Sequence, residues 1–250
     1  MRKIKLYMEV PTNHLDELHP LIDGHFCIAS KCLTDPRYFE WFKNRPKDSK
    51  VMLDNGTYEE GAPVSCDELI EIAKAIQPHV VFAPDILFDG YATWDLSVEF
   101  YRRSEEMGAF WKVGFIPQGT STEDLLQSYT VMAQYLLIKD KGDWLALAFG
   151  HDRLSLMAAI TQQHRSLAPL PHHMLGLQNL DEIKHWPEWA VSMDTVKPLK
   201  AAWHGYQMES CPRGLGKWDP GWELSPIGMA LTYRNIAVLQ KHLTLGGNND

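Results

Sequence analysis

Two carboxylates of this chain stand directly after short apolar segments. Asp54 follows Leu53, and Asp194 follows Met193. In a barrel of parallel strands the catalytic groups lie at the carboxyl ends of the strands, so both side chains are expected at one end of such a barrel, its mouth. Two carboxylates there can divide the work of a nucleophile and a general acid or base, which suits base or glycosyl exchange at a sugar carbon. Each Asp alone also fits a turn residue or a helix N-cap.

Eight extended apolar segments alternate with helical patterns along the chain. They span residues 4–10, 25–29, 50–53, 79–83, 111–116, 144–149, 172–177 and 189–193. Eight is the number of strands that closes a (β/α)8 barrel, and the alternation predicts a parallel sheet. We therefore expect an α/β fold of the TIM-barrel type, with a flat doubly wound sheet as the structural alternative.

Local signals place several of the helices. Ser65 and Glu68 form a capping-box pattern ahead of an amphipathic run that Pro78 ends. A similar pattern at residues 120–123 opens a second helix, and a third is expected over 95–107, ended by Gly108.

Composition favours one soluble domain. The 250 residues are 45% hydrophobic, which suits a single barrel domain over 1–250, with a long loop rich in Gly, Pro and Trp at about 206–226. Residues 1–10 are typical of a strand rather than a signal peptide, and the chain has no apolar run long enough for a membrane span. The four cysteines are scattered, which favours reduced thiols and a cytoplasmic location.

The charge distribution limits how the chain would meet a nucleic acid. A formal net charge of -8 argues against broad, nonspecific binding of phosphates. A local excess of three positive charges follows the second carboxylate, from Lys197, Lys200, Arg213 and Lys217 against Glu209. The loop at 206–226 carries Trp218 and Trp222, which either cover a substrate or pack beneath the loop.

Two motifs give the chain a resemblance to a known superfamily. Residues 54–59 read Asp-Asn-Gly-Thr-Tyr-Glu, and residues 194–205 read Asp-Thr-Val-Lys-Pro-Leu-Lys-Ala-Ala-Trp-His-Gly. They resemble the Asp-Ser-Gly-Gly-Phe/Tyr-Gln and Asp-Cys-Val-x-Pro-Thr-Arg-x-Ala-Arg-x-Gly motifs of the tRNA-guanine transglycosylase superfamily. The segments 83–85, 117–119 and 145–150 lie between them in the order that the superfamily has.

The resemblance implies a role for each matching residue. Asp194 would be the nucleophile that forms a covalent aspartyl-glycosyl intermediate, and Asp54 the second carboxylate, which moves protons. A pocket for the guanine or 7-deazaguanine base would be formed by Tyr58, Asp85, Gln118, Gly119, Ala146 and Leu147. In that pocket Tyr58 would stack on the base, while Asp85 and Gln118 would bind its edge.

Departures from the superfamily pattern predict how this chain differs. The tRNA enzymes close with a zinc site of several cysteines and a histidine, whereas Cys211 stands alone here and His172 and His173 would point to opposite faces of a strand. We therefore expect no metal, no other cofactor and no zinc-binding subdomain. His151 replaces a carboxylate that helps to accommodate a cationic base, which favours a neutral 7-substituent, as in 7-cyano-7-deazaguanine. A surface histidine is the alternative.

The polynucleotide is expected to be DNA, since the chain most resembles the compact DNA-modifying 7-deazaguanine transglycosylases of phages. Trp203 replaces an Arg of the motif and offers a stacking surface instead of a phosphate contact. The nucleic-acid contacts would come from Lys197, Lys200, Trp203 and Arg213. A tRNA substrate is the main alternative. A noncatalytic nucleic-acid-binding paralogue and a glycoside hydrolase barrel are further ones.

Overall fold

The chain forms a closed barrel of eight parallel strands. A computed structural model describes residues 3–148, 153–163, 170–212, 215 and 223–245. The strands are β1 (Lys5–Met8), β2 (Gly24–Ile28), β3 (Val51–Asp54), β4 (Val80–Phe82), β5 (Lys112–Phe115), β6 (Trp144–Ala148), β7 (His172–Leu175) and β8 (Ala190–Asp194). Each strand pairs with the next, and β8 pairs with β1. The predicted (β/α)8 barrel is thereby confirmed, and the flat sheet is wrong.

Helices surround the barrel. Among the described residues they are α1 (Leu15–Leu18), α2 (Ala29–Thr34), α3 (Pro36–Asn44), α4 (Thr57–Glu60), α5 (Cys66–Ile76), α6 (Gly90–Glu106), α7 (Thr122–Lys139), α8 (Arg153–Gln163), α9 (Lys197–Trp203) and α10 (Pro226–Leu245). Short 3-10 turns cover Thr12–His14, His19–Leu21, Leu180–His185 and Met208–Ser210. The β-to-α order makes the loops that follow each strand converge at the mouth.

Strand alternation divides the core into two layers. Side chains inside the barrel form a compact cluster that includes Tyr7, Phe26, Ile28, Met52, Val80, Phe82, Ile116 and Ala146. The intervening residues face the helices and join a larger outer core, as Leu6, Leu53 and Val81 do. Because successive strand residues point to opposite faces, this division fixes which residues near the strand ends reach into the mouth.

Most of the predicted helix boundaries are observed, with one shift. Ser65 and Glu68 form the capping box of α5, and Gln77 ends that helix in a left-handed conformation just before Pro78. Ser121 caps α7. The third helix begins at Gly90 rather than at residue 95, because Asp89 accepts the free N–H groups of Tyr91 and Ala92.

The segment after β8 is anchored to the last helix. Asn235 of α10 donates to the carbonyls of Pro198 and Tyr206 and accepts from the N–H of Met208. Several residues that the sequence analysis singled out lie outside the described part of the chain, namely His151, Arg213, Lys217, Trp218 and Trp222. All four cysteines are free thiols. No helix among the described residues is long and apolar enough to cross a membrane.

Candidate active site at the barrel mouth

The two carboxylates of the sequence motifs end two strands at the same end of the barrel. Asp54 is the last residue of β3 and Asp194 the last of β8, and only β1 and β2 separate these strands. Asp54 is opposite Ile28 of β2, and Asp194 is opposite Tyr7 of β1. Asp54 is buried, while the side chain of Asp194 keeps 13% of its surface exposed.

One oxygen of Asp194 is held by two neighbours from β7 and the loop after it. The N–H of Gly176 donates to Oδ1 at 3.0 Å, and Nε2 of His173 lies 3.2 Å from the same oxygen. Nδ1 of His173 lies 2.8 Å from the hydroxyl of Ser192. A carboxylate can only accept, so we assign the imidazole proton to Nε2, and Nδ1 then accepts from Ser192. Among the described residues no hydrogen bond engages Oδ2, which remains available to a substrate.

His173 is a site residue that the sequence analysis did not select. Its ring stacks on Phe26 with centroids 5.5 Å apart and an interplanar angle of 2°. Phe82 and Tyr7 pack beside it at 5.4 and 6.0 Å. The imidazole therefore lies between the apolar interior and Asp194. The alternation of β7, which places His173 inside and His172 outside, is the sequence signal that could have identified it.

Asp54 lies in a different environment, which favours its protonated form. Its Oδ2 accepts a hydrogen bond from the N–H of Gly56 at 2.9 Å. Burial raises the pKa of Asp54 well above its usual range, and the negative charges of Glu59, Asp85 and Asp194 raise it further. The mouth thus pairs an acid whose pKa is raised with an aspartate that has an unengaged oxygen.

A second polar cluster adjoins Asp54, built from residues that follow β3, β4 and β5. Asp85 is buried, and its two oxygens accept from Nδ2 of Asn55 at 2.8 Å and from Nε2 of Gln118 at 2.6 Å. Oε1 of Gln118 accepts from the N–H of Phe88 at 3.2 Å. Burial raises the pKa of Asp85, and the donors from Asn55, Gln118 and Thr57 partly offset that rise. The structure thus brings both predicted edge readers together, hydrogen-bonded to each other.

The remaining predicted pocket residues occupy different positions. Gly119 is buried where a Cβ atom would lie 2.7 Å from the backbone nitrogen of Leu125. Ala146 faces the barrel interior, whereas Leu147 turns its side chain to the outer core. Tyr58 is the second residue of α4 and is 70% exposed.

Further charged groups surround the two carboxylates on the β1 to β3 side. Glu9, just after β1, forms a buried ion pair with Lys31 of α2. Glu59 of α4 reaches solvent. Its pKa is nevertheless raised to about 7, chiefly by loss of hydration in the mouth and secondly by the negative charge of Glu9. The motif comparison did not select these groups, because their proximity depends on how the loops after β1, β2 and β3 converge.

The predicted basic surface is only partly present. The ammonium group of Lys197 is buried and donates to the carbonyl of Gln178, so this lysine is not the surface phosphate contact that the sequence suggested. Lys200 is half-buried, and that burial lowers its pKa. Trp203 is exposed at the end of α9. Arg213 lies outside the described residues, so its predicted role stays a prediction.

Neither protein-family models nor the curated proteins give a match to this chain. Within the described ranges, no group of three or more His, Cys, Asp or Glu side chains is arranged to hold a metal ion.

Proposed function

We propose that this protein is a nucleic-acid guanine transglycosylase, which replaces guanine in DNA by a 7-deazaguanine through a covalent intermediate on Asp194. The observation that carries the proposal is the convergence of Asp54, Asp85, Gln118 and Asp194 at one mouth. These residues come from four separate segments of the chain. Their proximity supports one site that combines glycosyl chemistry with recognition of a base.

The reaction uses the contrast between the two acids. Oδ2 of Asp194 attacks C1′ of the target nucleotide as the C1′–N9 bond breaks, and the electron pair goes to N9 of guanine. Asp54 supplies the proton that the departing base needs. The incoming base then gives its N9 proton to the Asp54 carboxylate and attacks C1′. The bond from C1′ to Asp194 breaks, which restores both residues.

Recognition of the base falls to the Asp85 and Gln118 pair. In the structure Nε2 of Gln118 donates to Asp85. A bound base can take over this bond, because its carbonyl accepts from Gln118 while its N–H groups donate to Asp85. Both side chains then keep their hydrogen bonds when a base is bound. Tyr58 lies at the exposed side of the same mouth and suits stacking against the base or a neighbouring nucleotide.

The choice of polymer and of incoming base is also part of the proposal. Of the predicted phosphate contacts, Lys197 is buried and Lys200 is half-buried, whereas Trp203 offers an exposed aromatic surface. This favours an extruded or single-stranded base in DNA that is held largely by stacking. A neutral 7-substituent, as in 7-cyano-7-deazaguanine, suits a mouth in which Asp54 and Asp85 already hold protons more strongly than usual.

An exchange assay tests the proposal. The protein is incubated with radiolabelled guanine and either duplex DNA, single-stranded DNA or unmodified tRNA at equal salt, and label in the polymer is counted. Incorporation into DNA is expected, with inhibition by unlabelled 7-cyano-7-deazaguanine. Incorporation into tRNA alone would contradict the DNA assignment, and incorporation into none of the polymers would contradict the transglycosylase proposal.

Base recognition has its own test. Asp85→Asn and Gln118→Leu should raise the concentration of free guanine needed for half-maximal exchange more than that of polymer, because each change removes an edge contact worth about 1–3 kcal/mol. Asp89→Asn changes an aspartate that caps α6 and serves as the control. Equal effects on both substrates would assign the pair a structural role only.

A further inference from the structure

A buried arginine lies beneath the loop that holds Asp194. Arg153 is the first residue of α8, and its guanidinium is almost fully enclosed. Its Nε donates to Oε1 of Glu182 at 2.7 Å, and its ring neighbour is Trp186, with the guanidinium carbon 5.6 Å from the ring centroid. Burial lowers the pKa of Arg153, while Glu182 and then Asp194 oppose that effect. The guanidinium is therefore charged and lies within electrostatic reach of Asp194.

The same guanidinium joins the ends of two strands. Nη1 donates to the carbonyl of Leu147 on β6 at 3.1 Å and to the carbonyl of Leu175 on β7 at 2.7 Å. Nη2 donates to the carbonyl of Gly176 at 3.0 Å. Three carbonyls and one carboxylate thus share the donors of a single planar group, which fixes their relative positions.

Gly176 connects this cluster to the reacting carboxylate. Its N–H shares a peptide group with the Leu175 carbonyl that Nη1 binds, and it donates to Oδ1 of Asp194. Its own carbonyl, in the next peptide group, accepts from Nη2. Gly176 has a φ of 67°, a left-handed conformation in which its two backbone groups point to opposite partners. Glu182 fixes the next turn through a bond from the N–H of Gln178 to Oε2 at 3.2 Å. The orientation of the Gly176 N–H therefore depends on Arg153 and Glu182.

We infer that Arg153, paired with Glu182, is a positioning residue for Asp194. It holds the peptide group between Leu175 and Gly176 so that the Gly176 N–H engages Oδ1 and leaves Oδ2 to the substrate, and its positive charge attracts the aspartate. This inference rests on the proposed role of Asp194 as nucleophile. The hydrogen-bonding cluster itself is a property of the structure and can be tested without the reaction.

Arg153→Lys is the informative variant. A lysine keeps the positive charge but offers a single compact ammonium, which cannot reach three carbonyls and Glu182 together. Glu182→Gln is the second variant, because it retains the arginine and loosens its orientation. Arg234→Lys is the matched control, since Arg234 of α10 forms an exposed ion pair with Glu209.

Two readouts distinguish positioning from general stabilisation. In amide hydrogen exchange followed by NMR, protection of the Gly176 N–H should fall at least about tenfold in Arg153→Lys and Glu182→Gln, while amides of β2 and β3 stay protected. In the exchange assay kcat should fall about 10- to 100-fold in both variants with little change in KM, because a displaced nucleophile slows the chemical step. The Arg234→Lys control should match the wild type in both.

The outcomes separate this inference from the proposed function. Unchanged protection of Gly176, or loss of protection that extends equally through β2 and β3, would overturn the positioning role. So would an unchanged kcat in an active enzyme. A wild-type protein that exchanges no base would instead contradict the proposed function, and the Gly176 amide would still show whether Arg153 holds the loop.

Discussion

Asp54 and Asp194 have the same side chain but opposite surroundings. Asp54 is buried among acidic neighbours, which favours its neutral form, whereas Asp194 is hydrogen-bonded at one oxygen and partly exposed. Pairs of carboxyl groups whose environments differ in this way are suited to separate roles as acid and nucleophile. The proposed reaction therefore depends on the different environments of these two side chains.

Asp54→Asn tests the acid role. Asparagine keeps the neutral shape of the protonated acid but cannot transfer a proton, so we expect kcat to fall about 10²- to 10⁴-fold. Because the pKa of Asp54 is raised, the wild-type rate of base departure should decline as pH rises through that pKa. The rate of the Asp54→Asn variant should show no such decline. Rates measured across pH would contradict the assignment if the two profiles were parallel.

The motifs indicated some of the site residues but not those that support them. Asp54 and Asp194 were selected because each follows an apolar run, whereas Asp85 and Gln118 were selected only through the resemblance to the superfamily. Arg153 was not, since its partners are mostly backbone carbonyls, which any sequence provides. Lys197 was placed at the surface because lysine usually lies there, yet the carbonyl of Gln178 binds its ammonium group in the interior.

At the scale of elements, the β3 to α4 loop places Asp54 and Asp85 side by side. Gly56 adopts a φ of 82° and donates its N–H to Asp54, while the adjacent Asn55 and Thr57 bond to Asp85 and its carbonyl. A Cβ at Gly56 would also lie 2.9 Å from the hydroxyl oxygen of Ser30. The backbone conformation of this loop and its packing against Ser30 therefore determine where both acids lie.

Gly56→Ala should destabilise the fold and impair the site, with Gly61→Ala as a matched control. Both glycines are left-handed, with φ of 82° and 80°, but a Cβ at Gly61 meets nothing within 4 Å. Backbone strain should lower the free energy of unfolding of both variants by about 1 kcal/mol. Gly56→Ala should lose about 1–3 kcal/mol more through the contact with Ser30. Equal urea midpoints for the two variants would show that the loop accommodates the methyl group.

The sequence predicted the elements better than it predicted their ends. All eight strands were found because alternation and apolar runs are local properties, and the capping signals at Ser65 and Ser121 are local as well. The start of α6 was misplaced because Asp89 lies before any apolar periodicity. The loop conformations that bring Glu9, Lys31 and Glu59 together depend on tertiary packing, which no local pattern records.

For the molecule as a whole, buried titratable groups make stability depend on pH in opposing ways. Burial lowers the pKa of His25 to about 3 and those of His79 and His172 to about 4. The unfolded chain therefore binds more protons at these sites below pH 6.5, and stability falls as pH drops from there toward 4. Asp54 and Glu59, with raised pKa values, oppose this fall because the folded state holds their protons.

His25→Phe should reduce the sensitivity to acid. His25 packs between Trp41 and Phe42, its Nε2 lies 3.0 Å from Nδ1 of His19, and its Nδ1 has no hydrogen bond with any described residue. Removing this site should make the free energy of unfolding less steep between pH 6.5 and 4, by up to about 1.4 kcal/mol per pH unit. Urea unfolding at several pH values measures this, with His185→Phe as an exposed control. An unchanged slope would mean that His25 does not stay neutral in the fold.

Glu59→Gln should have the opposite effect on the slope. Wild-type stability gains from protonation of Glu59 as pH falls from about 7 toward 4.5, and glutamine removes that gain. Acid should therefore destabilise the variant more steeply, by on the order of half a kcal/mol per pH unit, because the partly exposed carboxylate is screened by solvent. The same urea series measures it, and a shallower slope in the variant would contradict the raised pKa.

The central claim is tested most directly by looking for a covalent bond between Asp194 and the nucleic acid. The protein is mixed with end-labelled guanine-containing DNA and a 7-deazaguanine, quenched in denaturant and resolved by size, and the adduct is mapped by mass spectrometry. The account predicts a labelled adduct on Asp194 in the wild type and in the exposed control Asp181→Asn, and neither adduct nor exchange in Asp194→Asn. Exchange that persists in Asp194→Asn, or an adduct mapped to another residue, would contradict it.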